Sequence, residues 1–158
     1  MAMIETGDKA PTFKLSSDAD ETISAASLKG APYVLFFYPK DDTSGCTKEA
    51  IAFTEHMDAF EALGVRIIGV SPDSVASHQK FKAKRELGMT LLSDDEHTLA
   101  EAYGVWVEKN MYGRKYMGLE RSTYLVDGKG KVVEMWRKVK VAGHVEKVLA
   151  AAQEHFAS

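Results

Sequence analysis

Cysteine is nearly missing from this sequence, with one residue, Cys46, among 158. A lone cysteine closes no internal disulfide, which suits a reducing compartment, so the chain must hold together through an apolar core. Neither sign of charge dominates: 20 Lys and Arg stand against 23 Asp and Glu, spread along the chain for a net charge of −3. No basic patch for nucleic acid and no acidic tail stands out, and Lys138 and Lys140 around Val139 read as a solvated face. No apolar run approaches the roughly 20 residues of a membrane helix, and Met1 to Asp8 has neither the basic nor the apolar region of a signal peptide. A cytoplasmic protein is expected, with no nucleic-acid or membrane partner. No repeat or long linker divides the chain, and its apolar content is enough for one domain, residues 1–158.

The elements that remain alternate between strand and helix. Phe13 to Leu15 and a polar tip from Ser16 to Glu21 suggest an N-terminal hairpin, and Ser24 to Gly30 a single helical turn. Tyr33 to Tyr38 is an apolar run of the kind found in a strand buried on both faces, and Pro39, which has no N–H for a sheet ladder, ends it. Ala50, Phe53, Met57, Phe60 and Leu63 then recur at helical spacing, predicting one helix that runs to Leu63, with Gly64 beyond its end. Val65 to Val70 predicts a second buried strand, and Ser74 to Leu87 a surface helix with a narrow apolar stripe. Leu91-Leu92 leads into an acidic helix start at Ser93 to Glu96 that Gly104 closes. Val105 to Val107 reads as a strand, and Asn110 to Gly118 as a loop of mixed polarity. Ser122 to Val126 and Lys131 to Trp136 form a hairpin across Asp127-Gly128, and a last helix carries Val145, Val148, Leu149, Ala152 and Phe156 on one face. The order argues for an α/β sheet with right-handed crossovers. The glycines near Asp127 sit between two strands rather than before a helix, which argues against a phosphate loop.

Within this frame the stretch from Tyr33 to Ala50 carries Cys46 from a buried strand onto a helix start. Thr43 and Ser44 are N-cap residue types, so Cys46 falls in the first turn. Backbone N–H groups there lack intrahelical partners and the dipole is positive, which favours a thiolate over a thiol and makes a nucleophile of the sulfur. Taken alone, a single cysteine is more often a small buried hydrophobe. The strand, proline, hydroxyl cap and helix start reverse that reading.

The segment Phe37-Tyr38-Pro39-Lys40-Asp41-Asp42-Thr43-Ser44-Gly45-Cys46-Thr47, with its P-x-x-x-T-x-x-C spacing, resembles the active site of peroxiredoxins, and most closely the bacterioferritin-comigratory, or Q-type, subgroup. The likeness continues through Gly69 to Asp73, Leu91 to Asp94, Tyr103 to Trp106 and Arg121 to Asp127. It implies a thioredoxin-like fold, a central mixed sheet flanked by helices with an N-terminal hairpin extension, and a thiol-dependent peroxidase acting on hydrogen peroxide and organic hydroperoxides. It assigns roles to four matched residues. Cys46 is the attacking thiolate, Thr43 holds thiolate and peroxide through its hydroxyl, Arg121 supplies a fixed guanidinium, and Pro39 shields the site from water. Without the resemblance, Thr43 is equally an N-cap and Arg121 a surface charge. Glu49 either orients that arginine or sits on a solvated helix face, and stays outside the core set.

One departure from the family pattern shapes the expected cycle. Many Q-type relatives carry a resolving cysteine, five residues after the first or on the next helix, where this chain has Ile51 and Lys82. A one-cysteine cycle is therefore expected: thiolate, sulfenic acid, mixed disulfide with an external thiol, and release by a second thiol. Thioredoxin, glutaredoxin with glutathione, or a small thiol are the candidate reductants. No cofactor or metal is called for: His56, His78, His97, His144 and His155 have no metal-ligand spacing, and no C-x-x-C or Cys-His-Asn signature is present. A peroxide sensor or holdase-like interaction protein built on the same thiol is the alternative. The resemblance implies a monomer, while Trp106, Met111, Tyr112, Tyr116 and Met117 leave a dimer or reductase contact open.

Overall fold

The computed structural model describes residues 4–157. In chain order the elements are β1 (Lys14–Ser17), β2 (Thr22–Ser24), a 3-10 turn (Ala26–Leu28), β3 (Tyr33–Phe37), α1 (Ser44–Glu55), α2 (Met57–Ala62), β4 (Arg66–Ser71), α3 (Val75–Arg85), β5 (Thr90–Ser93), α4 (Thr98–Tyr103), β6 (Trp106–Met111), β7 (Arg114–Leu119), β8 (Ser122–Val126), β9 (Val132–Trp136) and α5 (His144–Phe156). Seven strands make one mixed sheet in the order β2-β1-β5-β4-β3-β8-β9. Its centre, β5-β4-β3, is parallel, and antiparallel strands extend it on both sides. This is the thioredoxin-like α/β arrangement, with the N-terminal hairpin β1–β2 at one edge.

The period of two along β3 explains how the two layers assemble. Val34 and Phe36 enter one cluster with Phe53 of α1, Phe60 of α2, Phe81 of α3 and Val145 and Val148 of α5. Tyr33, Leu35 and Phe37 enter the other, with Leu99 and Tyr103 of α4 and Tyr124 and Val126 of β8. All five β3 residues are buried, as the continuous apolar run requires. Phe36 lies opposite Gly69 of β4. A Cβ on Gly69 would lie 2.8 Å from the Phe36 ring and 3.0 Å from Leu91, so the glycine makes room for the aromatic ring.

Three expectations need correction. The helix after Cys46 does not run unbroken to Leu63 but ends at Glu55, with His56 between α1 and α2. His56 Nδ1 lies 2.8 Å from the Ala52 carbonyl, a side-chain bond that competes with the backbone ladder at the break. The acidic stretch does not open α4, which starts at Thr98. Asp94 nevertheless serves that helix from a distance, its carboxylate accepting from the Leu99 and Ala100 N–H groups at 3.1 and 2.8 Å. Finally, Asn110 to Gly118 is not a loop: β6 and β7 pair along six residues through a turn at Tyr112 and Gly113, both at positive φ. That geometry is the twist-matched hairpin turn.

Candidate active site

The site lies where β3 delivers the chain to α1. The segment 38–43 crosses from the end of the strand to the helix, and Thr43 occupies the N-cap with an extended backbone, its carbonyl accepting from Thr47 N–H at 2.8 Å. Cys46 is the third residue of α1, so its N–H belongs to the group with no intrahelical acceptor. The residue is 1% exposed and belongs to the core cluster that holds Phe53.

The sulfur is not sealed in hydrocarbon. Arg121 Nη2 donates to Cys46 Sγ at 3.3 Å, and Nη1 donates to Glu49 Oε1 at 2.7 Å. The register of the sheet places the arginine there: β8 lies antiparallel beside β3 with Ser122 opposite Phe37, so the residue before β8 lies beside the chain leaving β3. Gly45 leaves space for it, since a Cβ at that position would lie 3.2 Å from Arg121 Nη2. Burial works against the Arg121 charge, but the neighbouring Glu49 and Cys46 outweigh it and hold the guanidinium protonated more firmly than usual.

Glu49 is fully buried, and this burial pushes its carboxyl up to about 7 against the downward pull of Arg121. Its second oxygen, Oε2, has no hydrogen-bond partner among the described residues and faces His144 Nε2 at 3.9 Å. His144, the first residue of α5, is held by Thr123 Oγ1 at 2.8 Å. Burial, aided by Lys147 and Arg121, lowers its pKa to about 4, so the ring is neutral at physiological pH. Glu49 and His144 were the residues left out of the core set by sequence. The signal for Glu49 was present: it falls four residues before Phe53, on the helix face that also carries Cys46 and Ala50, all buried.

Of the four residues selected from the sequence, Cys46 and Arg121 are in contact. Thr43 is exposed, and its hydroxyl proton goes to the Lys40 carbonyl at 2.9 Å, so it neither caps α1 with its side chain nor donates to the sulfur. Pro39 is partly buried just past the end of β3. Among the described residues no cluster of three or more His, Cys, Asp or Glu side chains is placed to hold a metal ion.

The family model described as AhpC/TSA family matches residues 6–135, most of the chain. The chain belongs to the AhpC/TSA family. This peroxiredoxin is 51% identical over 146 residues to a putative peroxiredoxin Bcp of Coxiella burnetii, spanning 92% of this chain and 97% of the relative. It is 50% identical over 151 residues to peroxiredoxin Bcp of Bacillus subtilis, spanning 96% of each. A solved structure of the Xanthomonas campestris bacterioferritin comigratory protein, studied for alkyl peroxide reduction, superimposes with a TM-score of 0.87 at 44% identity, covering 90% of this chain and 91% of that one. The subgroup resemblance therefore holds at the level of sequence and fold, and Cys46 is the only cysteine of the sequence. No helix among the described residues is long and apolar enough to cross a membrane.

Proposed function

We propose that this peroxiredoxin is a thiol-dependent peroxidase that reduces hydrogen peroxide and organic hydroperoxides by a one-cysteine cycle, with Cys46, Arg121, Thr43 and Pro39 as its working residues. The observation that carries the proposal is the Arg121 guanidinium, which bridges the Cys46 sulfur and the buried Glu49.

In the first step the Cys46 thiolate attacks one peroxide oxygen, a sulfur–oxygen bond forms and the O–O bond breaks. The other oxygen leaves as hydroxide or alkoxide and takes a proton to become water or an alcohol. Negative charge moves from sulfur to the departing oxygen, and Arg121 is a fixed positive charge beside that path whose orientation Glu49 sets before the substrate arrives. Thr43 works through its lone pairs: with its proton committed to Lys40, the hydroxyl oxygen accepts a hydrogen bond from the peroxide O–H. Pro39, with no N–H, limits water on the loop side.

The product is a Cys46 sulfenic acid. An external thiol attacks its sulfur, expels water and leaves a mixed disulfide. A second thiol attacks the external sulfur, forms the reductant's disulfide and returns Cys46 reduced. Thioredoxin, glutaredoxin with glutathione, and a small thiol are the reductants to compare. Steady-state peroxide consumption with each donor tests the proposal: repeated turnover with at least one supports an enzyme, whereas a single oxidation followed by stalling with all of them supports the sensor reading.

A further inference from the structure

A second buried polar cluster lies beneath the segment that joins β3 to α1. Asp41 belongs to that segment and is 7% exposed, with its carboxylate turned inward. Oδ1 accepts from Tyr38 Oη at 2.6 Å, and Oδ2 accepts from Ser77 Oγ at 2.8 Å and lies 2.7 Å from His78 Nδ1. Its own N–H donates to Asp73 Oδ2 at 2.8 Å. His78, fully buried on α3, has its other nitrogen 2.8 Å from the Leu92 carbonyl of β5.

A carbonyl only accepts, so the Nε2 position carries a proton committed to Leu92. The Nδ1 contact with a carboxylate oxygen then requires a second proton, shared between ring and Asp41. Burial first, and the neighbouring Asp41 second, raise the Tyr38 pKa well above the usual phenol value, so its hydroxyl keeps the proton it donates to Asp41. The His78–Asp41 contact is thus a short hydrogen bond between two buried side chains. The reactive segment is further fixed to α3 at the surface, where Asp42 pairs with Lys84 at 2.7 Å and Arg85 at 2.9 Å.

We propose that His78 is a positioning residue of the peroxidase reaction, holding Asp41 so that the segment carrying Pro39 and Thr43 keeps the geometry the substrate needs beside Cys46. The inference rests on the peroxidase reading above. His78 touches neither sulfur nor substrate, and its effect passes through the Asp41 carboxylate. Interactions between rigid elements and a loop of this kind set whether a substrate-binding atom stands within reach or an ångström away, and rate is sensitive to that difference.

Two substitutions separate positioning from mere core filling, because each retains one half of the imidazole's hydrogen bonding. His78→Asn places an amide N–H near the Nδ1 position and keeps the donor to Asp41, whereas His78→Gln reaches toward Leu92 and leaves Asp41 without it. The experiment measures the second-order rate of Cys46 oxidation by peroxide, per folded molecule by circular dichroism, in the unmodified protein and both variants. A loss of at least about tenfold in His78→Gln, with His78→Asn within about threefold of the unmodified protein, is the expected result. Equal rates in both variants, or equal losses, would overturn the inference. Nitrogen NMR of the unmodified protein gives an independent readout: a proton held between Nδ1 and Asp41, on either partner, supports the shared-proton contact, and an Nδ1 with no proton in that contact contradicts it. If the unmodified protein itself reacts with peroxide no faster than free cysteine, the peroxidase reading fails instead.

Discussion

Two buried acids flank the reactive helix start, and they are treated in opposite ways. Asp41 has donors at both oxygens, from Tyr38 just after β3 and from Ser77 and His78 of α3. Glu49 has one oxygen on Arg121 and the other unpaired. A buried carboxylate with both oxygens engaged is scaffold, since any rearrangement would break bonds that water cannot replace. One that is half satisfied costs stability and persists where it sets the charge of something reactive. The contrast assigns geometry to the Asp41 side of the site and electrostatics to the Glu49 side.

The largest effect expected from breaking this pairing comes at the sulfur itself: Cys46→Ser abolishes peroxide turnover in a coupled assay, because no other residue of the chain offers a thiol. Arg121→Ala comes next, slowing Cys46 oxidation by about 10²- to 10³-fold, the scale of losing one preorganised charge donor. The folded fraction should stay close to that of the unmodified protein, because Glu49, already pushed up to about 7, takes a proton once its partner is gone. A variant that is largely unfolded by circular dichroism would contradict that account of Glu49.

The electrostatic side also makes a prediction about acid stability. Glu49 sits at about 7, above its unfolded value, so its contribution is full below about 4.5 and is lost as pH rises toward 7. His144 sits at about 4, below its unfolded value, so its contribution is full above about 6.5 and is lost as pH falls toward 4. The two slopes oppose each other across the shared window from about 4.5 to 6.5. Glu49→Gln removes one of them, so denaturant titrations of this variant should show stability rising with pH in that window more steeply than in the unmodified protein, by close to one proton's worth. Parallel profiles would mean that Glu49 titrates in its ordinary range. The smallest effect is expected from Gly45→Ala, whose Cβ would press on Arg121 Nη2 from 3.2 Å. Peroxide reduction should slow a few-fold with stability little changed, as peroxide kinetics and thermal melts would record.

Much of the scaffold around this site was legible in the order of residues because burial on both faces leaves an unmistakable mark. The apolar run Tyr33 to Tyr38 holds β3, which ends one residue earlier at Phe37, and the spacing of Val145, Val148 and Ala152 is the inner face of α5. The start of β6 was legible in Val105 to Val107, but its continuation and its pairing with β7 were not, because a hairpin exposed along much of its length need not alternate: Met111 and Tyr112 are open to solvent and the charges Glu108, Arg114 and Lys115 are spread through both strands. Cys46 and Arg121 were recognisable through motif and order, and they do meet. Thr43 was expected at the sulfur, but a hydroxyl has one proton and the Lys40 carbonyl takes it. Glu49 is of a type that most often faces water and His78 of one found as readily at the surface as inside, and only the fold places their partners, Arg121 and Asp41, within hydrogen-bonding distance at 2.7 Å.

Rapid mixing of the reduced protein with one equivalent of hydrogen peroxide, following loss of the Cys46 thiol in the unmodified protein and in Arg121→Ala, tests the central claim most directly. Oxidation much faster than that of free cysteine, falling by about 10² or more when the guanidinium is removed, is the outcome the geometry predicts. Oxidation at the rate of free cysteine, or a rate indifferent to Arg121, would contradict it.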